Sequence, residues 1–377
     1  MTPRALRLAE TVVANTNRVT PADALLRREL RDAARLDPRD ARDTARAVFS
    51  FFRWLGWLDT NRPLSSQIRR ALELADEFAT NPGARPAKEL LARAVPDWTW
   101  RQIDSSVSWV RALQAEPVLW LRARRECRAR LTEQLGYCEP SPFTALPEAL
   151  EYRGATDLFQ TPEFKHGLFE IQDLTSQAVS VICAPQPGEK WWDACAGEGG
   201  KTLHLSDLMN NRGLIWASDK AEWRLEKLQR RAARAGVFNY RSKPWDGGAH
   251  LPTRTAFDGV LLDAPCSGLG TWQRNPHARW TTAANDITEL AALQFELLSN
   301  AAGAVKPGGR LVYAVCTLTT AETVEVAERF TANQAGFEPI AFANPCAPEK
   351  PASRNATLWP QETRGNGMFV AVWRRNR

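Results

Sequence analysis

No run of about 18 apolar residues occurs in the chain, and no apolar leader core follows Met1. Neither a membrane span nor export is therefore expected, and the cytoplasm is the expected compartment. Cysteine pairs of the CxxC type are missing, and the four histidines (His166, His204, His250 and His277) lie far apart. That pattern predicts no metal site. The seven cysteines (Cys127, Cys138, Cys183, Cys195, Cys266, Cys316 and Cys346) are odd in number and scattered. Without an export signal they read as reduced thiols, not a disulfide framework. Lysine is nearly absent from residues 1–150, where Lys88 stands alone among many arginines. Guanidinium suits phosphate and base-stacking contact, although a coding bias toward arginine gives the same count. A net charge of +6 favours an anionic partner.

What is present divides into two patterns. A length of 377 residues with 44% apolar content supports two packed domains. The first part reads as helices. In "TPADALLRRELRDAARL", Thr20 is placed as N-cap and Pro21 as first helical residue. An apolar stripe runs through Val48, Phe51, Phe52, Leu55 and Leu58. "PVLWLRARRECRARLTEQLGY" reads as an arginine-studded helix stopped by Gly136. The expected boundaries are a helical domain over 1–138, a linker or RNA-binding segment over 139–169, and an α/β domain over 170–377. In that last part, "KWWDACA", "GLIWASD", "YRSKPWD", "FDGVLLDAP" and "GRLVYAVCT" are strands separated mostly by helical stretches. Such alternation predicts a mainly parallel sheet with helices on both faces. "GFEPI" and "GMFVAVWRR" are placed as an antiparallel edge.

"DACAGEGGKT", residues 193–202, joins the first of these strands to its helix. Ligands of open α/β sheets bind beyond the carboxyl ends of the strands. The triphosphate loop GxxxxGK[ST] fits at Gly200, Lys201 and Thr202 but finds Cys195 in place of its first glycine. The dinucleotide pattern GxGxxG fits at Gly197 and Gly199, then meets Thr202. S-adenosylmethionine remains, needing an open loop and an acid for its ribose. Asp219 ends "WASD" at about the expected interval, and Asp246 ends "KPWD" where it can accept from an adenine amino group. Two thiols, Cys266 and Cys316, also sit at strand ends.

Residues 165–375 resemble the RNA 5-cytosine methyltransferases of the Sun/Fmu/NOP2 group. "FEIQDLTSQAV", "DACAGEGGKT", "DAPCSGLGTWQRNPHARW", "YAVCTLTTAE" and "GNGMFVAVW" carry the resemblance. The helical half resembles, by position and helix content alone, the NusB-like extension of bacterial ribosomal RNA enzymes. The resemblance implies a class I S-adenosylmethionine-dependent methyltransferase fold behind an all-helical domain. It places Cys195, Ala196, Gly197, Glu198, Gly199, Gly200 and Lys201 around the cofactor, with Asp219, Arg224, Asp246 and Asp263. Cys316 would be the nucleophile, Cys266 the residue assisting product release, and RNA, ribosomal RNA of the small subunit above all, the substrate.

Carbon 5 of cytosine is too weak a nucleophile to take a methyl group until a thiolate has added to carbon 6. Asp263 would hold a proton near ring nitrogen 3, and a cationic neighbour such as Lys201 would favour the thiolate. Arg274 and Arg279 are expected on phosphate, and Trp272 or Trp280 on a base, with packing inside the protein an equal alternative for Trp280. Three positions depart from the family pattern: Glu198 replaces proline, Thr317 replaces serine, and Thr323 replaces asparagine. The first predicts altered cofactor affinity and the other two disturbed positioning behind the nucleophile. A non-catalytic RNA-binding assembly factor that retains the fold is the rival from another class, and a nucleotide-dependent oxidoreductase a more distant one.

Overall fold

Amphipathic stripes fold the N-terminal part into helices. The computed structural model describes residues 1–33, 36–104 and 106–377. Two compact units are present: Met1–Pro117 with Gly268–Asp286, and Val118–Ser267 with Ile287–Arg377. In the first, helices Pro3–Asn15, Ala22–Asp32, Pro38–Trp54 and Leu64–Thr80 bury one apolar face each. Val48, Phe51 and Phe52 lie in that core, with Leu55 and Leu58 packed against it. The second helix begins one residue later than expected: Pro21 occupies the cap position and makes no side-chain bond.

The second unit holds two sheets. β1 (Leu119–Ala123), β2 (Cys138–Pro140), β3 (Ala149–Tyr152) and β4 (Phe169–Ile171) form a four-stranded sheet in the order β2-β3-β1-β4. Expectation and structure differ here. Residues 119–123 are a strand, only Arg128–Leu135 is helical, and the expected linker holds β3 and parts of β2 and β4. Antiparallel pairing of β1 with β3 and with β4 satisfies its backbone on both edges. Trp120, Leu121, Arg122 and Ala123 are all buried, and that burial overrides the local helical tendency. The units accordingly divide at Pro117, not at residue 138.

β5 (Lys190–Asp193), β6 (Leu214–Ala217), β7 (Tyr240–Ser242), β8 (Phe257–Asp263), β9 (Val305–Val315), β10 (Phe337–Pro339), β11 (Asn355–Leu358) and β12 (Met368–Arg375) build the large sheet. Its order is β10-β12-β9-β8-β5-β6-β7, with β11 on β12. β5 to β9 pair in parallel, whereas β10, β11 and β9 all run antiparallel to β12. Neighbouring residues of β8 feed opposite cores: Val260 and Leu262 pack on one face, Leu261 on the other. Strand order reverses between β5 and β8, so their carboxyl ends diverge into a crevice.

Candidate active site

At that reversal lies a cleft of about 920 Å³, lined by Cys195, Ala196, Gly197, Glu198, Asp219, Arg224, Asp246, Asp263, Cys266 and Cys316 among others. The loop after β5 shapes its floor. Gly197 (φ +54°) and Gly199 (φ +88°) adopt left-handed backbone, and a Cβ on Gly199 would meet Leu228 at 2.6 Å. Gly199 caps the helix Gly200–Leu208, which begins with Gly200 and Lys201. The Gly197 amide donates to Asp219 Oδ2 at 2.9 Å, and the Ala221 amide to its Oδ1 at 2.8 Å. Asp219 is thus fixed at the cleft wall, with Arg224 at 3.8 Å. Asp246 is exposed beyond β7, its Oδ1 accepting from the Gly248 amide at 2.9 Å. The loop backbone, Asp219 and Asp246 therefore share one cleft of a size that suits a nucleoside.

Burial drives the electrostatics of the loop. Asp193 is fully buried, accepts from Thr202 Oγ1 at 2.6 Å, and has its pKa pushed up to about 7. Burial and the facing carboxylates of Asp193, Asp219 and Asp263 push the Cys195 thiol well up, which makes it a poor nucleophile. Glu198, which should place negative charge near the cofactor, is neutralised instead. Its carboxylate receives Lys227 Nζ at 2.7 Å, and its carbonyl accepts from Arg231 at 3.0 Å. These contacts fix the loop from the helix Glu222–Arg234, where the family pattern uses proline.

The end of the cleft that holds the two thiols is built from β8 and β9. Asp263 closes β8, Cys266 follows three residues on, and Cys316 directly follows β9. Parallel pairing of the two strands brings the sulfurs within 3.4 Å of each other, although 50 residues separate them in sequence. Lys201 Nζ donates to Asp263 Oδ2 at 2.5 Å. Burial lowers the Lys201 pKa, but Asp263, Cys316 and Asp193 outweigh it and raise the value overall. A protonated Lys201 thus stands beside the carboxylate and near the Cys316 sulfur.

In sequence Glu322 stands as the glutamate of the family's glutamate–asparagine pair, with Thr323 after it; that it holds the two thiol loops together was not legible there. Glu322 is fully buried. Its Oε1 accepts from the Ser267 amide at 2.8 Å and Gln294 Nε2 at 2.9 Å. Its Oε2 accepts from Ser267 Oγ, Thr319 Oγ1 at 2.8 Å and Thr317 Oγ1 at 3.2 Å. Gln294 also donates to the Pro265 carbonyl at 2.9 Å, and Tyr313 donates to the Glu322 carbonyl at 2.6 Å. Thr317 therefore retains the hydroxyl expected of serine, and Thr323 bonds back to the Thr319 carbonyl at 2.6 Å. Both replacing hydroxyls are thus hydrogen-bonded in place. One signal was available: Gln294 and Tyr313 interrupt apolar runs, "AALQFELL" and "RLVYAV".

Two residues assigned to RNA lie elsewhere. Trp272 and Arg279 are fully buried in the helical unit. Arg279 donates to the carbonyls of Ala94 at 2.8 Å and Leu113 at 3.1 Å, and to Gln114 Oε1 at 2.9 Å. Burial and the charge of Arg53 push its pKa down to about 9. Trp272 packs edge-on against Trp98. Neither side chain presents a surface to RNA; the apolar core and ready carbonyl acceptors of this unit have absorbed them. Trp280 is half-buried and donates to the Phe52 carbonyl at 2.7 Å, while Arg274 is half-buried. Among the described residues no cluster suited to a metal ion occurs, and no helix is long and apolar enough to cross a membrane.

Comparison with known proteins places this geometry. The probable ribosomal RNA small subunit methyltransferase B of Synechocystis sp. is 34% identical over 296 residues, which cover 73% of this chain and 66% of that relative. This chain thus spans just under two thirds of that relative's length. The crystal structure of PH0851 aligns with a TM-score of 0.79 at 22% identity, covering 99% of both chains, and shares the fold. A methyltransferase homolog from Pyrococcus horikoshii aligns with a TM-score of 0.63 at 27% identity, covering 80% of this chain and 99% of its own. The fold is that of class I S-adenosylmethionine-dependent methyltransferases behind a helical N-terminal region. A family model described as 16S rRNA methyltransferase RsmB/F matches residues 180–374, more than half of the sequence and all of the thiol, lysine and aspartate constellation, so the chain belongs to that family.

Proposed function

We propose that this protein methylates carbon 5 of a cytosine in RNA, with S-adenosylmethionine as methyl donor and ribosomal RNA of the small subunit as substrate. The observation that carries the reading is the pair of sulfurs 3.4 Å apart at the lip of the cleft, beside the Lys201–Asp263 pair. One sulfur is enough to attack a ring; a second at that distance is suited to assisting departure. The family description and the name of the Synechocystis relative support ribosomal RNA as the substrate class.

Cys316, as thiolate, adds to carbon 6, and the Lys201–Asp263 pair supplies a proton toward ring nitrogen 3 as electron density builds there. When bound, S-adenosylmethionine would supply an electrophilic methyl group to carbon 5, its sulfonium sulfur keeping the electrons of the broken bond. Cys266, once its own proton has passed to water, accepts the proton of carbon 5; the Cys316–carbon 6 bond then breaks with its electrons returning to sulfur, and the proton held at ring nitrogen 3 returns to the Lys201–Asp263 pair. Asp219 and Asp246 would hold the ribose and adenine ends. A cytosine must be unstacked to reach these groups, so unpaired or opened RNA is expected.

The test is a denaturing gel of Cys266→Ala and Cys316→Ala mixed with unmodified small-subunit ribosomal RNA and cofactor, beside methyl transfer by the wild type. A covalent adduct with Cys266→Ala alone is expected. An adduct with Cys316→Ala alone would reverse the two roles. Cofactor binding without methyl transfer by the wild type to any RNA would return the protein to the non-catalytic reading.

A further inference from the structure

We propose that a second cavity, separate from the cofactor cleft, receives one unstacked base of the RNA; this rests on the RNA reading given above. The cavity measures about 340 Å³ and lies between β1, the loop before β3 and the helices Leu174–Cys183 and Gly200–Leu208. None of its lining residues lines the cofactor cleft.

Three of its lining residues each carry a buried polar atom with no hydrogen-bond partner among the described residues. Arg122, only 1% exposed, donates through Nε to Gln172 Oε1 at 2.7 Å and through Nη1 to Asp207, but its Nη2 is unpartnered. His204, 6% exposed, leaves Nδ1 without a partner, and Glu148 leaves Oε2. Buried polar atoms of this kind are rare unless something meets them. Burial, Arg122 and Lys201 keep His204 neutral.

The mixture selects the ligand class. A bare anion would face the carboxylates of Glu148 and Asp207, and a bare cation would face Arg122 and Arg125. A wholly apolar group would leave the orphaned atoms unmet. A flat heterocycle carrying both acceptors and N–H donors satisfies them, while Leu146, Val181 and Leu208 cover its faces. Arg125 and Arg128 are exposed close by, in reach of Glu148's field, and suit the flanking phosphates. His204 and Lys201 belong to the same helix, so this cavity and the Lys201–Asp263 pair share a rigid support.

The experiment is fluorescence anisotropy of a labelled, unmodified fragment of small-subunit ribosomal RNA at fixed salt. Ala145→Trp fills the cavity from an exposed position on its rim, and Glu148→Gln removes a wall charge without changing shape. Ala145→Trp should weaken RNA binding about tenfold, the scale of one lost base contact, with S-adenosylmethionine affinity unchanged. Glu148→Gln should weaken it in the same direction. Wild-type RNA affinity in Ala145→Trp overturns the proposal while leaving the methyltransferase reading standing. If Ala145→Trp also loses cofactor binding through misfolding, Glu148→Gln decides, and wild-type affinity there overturns it. A wild type that binds no RNA overturns both readings.

Discussion

Removing the Glu322 carboxylate should loosen both thiol loops at once. In Glu322→Ala, five donors lose their acceptor: the Ser267 amide, the hydroxyls of Ser267, Thr317 and Thr319, and the Gln294 amide. Each buried unsatisfied donor costs roughly 1–3 kcal/mol. The Ser267 and Thr317 hydroxyls already lie 2.8 Å apart and can satisfy each other, so the sum is not additive. A net loss of about 3–5 kcal/mol follows. Glu322→Gln keeps an acceptor for the Ser267 and Gln294 amides, and its NH₂ can donate to hydroxyls that accept as readily as they donate. That variant should lose only about 1–2 kcal/mol. Function should separate the variants further. A displacement of about 1 Å in reacting groups costs on the order of a hundredfold in rate. Glu322→Ala should therefore lose about that much methyl transfer at a temperature where it remains folded, and Glu322→Gln far less. Urea unfolding gives the stability, and single-turnover transfer of labelled methyl gives the rate. A chemistry-independent readout is available too: diamide accepts two electrons and two protons from Cys266 and Cys316, closing a disulfide whose rate reports their encounter. If Glu322→Ala closes that disulfide and transfers methyl at wild-type rates, Glu322 does not position the thiols.

Two more outcomes follow from buried charge. Arg279→Ala should destabilise the helical unit by about 3–5 kcal/mol, because its three strongest acceptors lose a donor inside a dry core; a urea midpoint unchanged from wild type would count against this. Asp193 has an ordinary pKa of 3.8 and one of about 7 when folded, so the folded state is penalised as pH rises through that window. Asp193→Asn removes the penalty while keeping an acceptor for Thr202. Its stability relative to wild type should therefore rise between pH 5 and 7 in thermal melts, by no more than roughly 3 kcal/mol, and level off above that. A difference that stays flat across that range would show that the carboxyl is ionised throughout.

Adjacent residues made much of the α/β domain legible from sequence. "DACAGEGGKT", "WASD", "DAPCS" and "AVCT" each join a strand to its functional turn, and a short local pattern suffices to place such a turn at the carboxyl end of a parallel strand. The helical stripe through Val48, Phe51 and Phe52 was legible for the same reason. Other features were settled only by contacts distant in sequence. Leu119–Ala123 is a strand because β3 and β4 pair with it on both sides and bury its arginine on Asp207 and Gln172. Arg279 and Trp272 have the residue types of an RNA surface but lie inside a core whose acceptors come from residues 94–114. Glu322 was legible in sequence as the glutamate of a family pair, yet that it binds two loops across a span of 55 residues was not. Sequence determined which groups can perform the chemistry, because their type and local turn are fixed by their neighbours. The tertiary structure decided which of them meet, which are buried and which are left unpartnered, because desolvation and hydrogen-bond satisfaction depend on residues far along the chain.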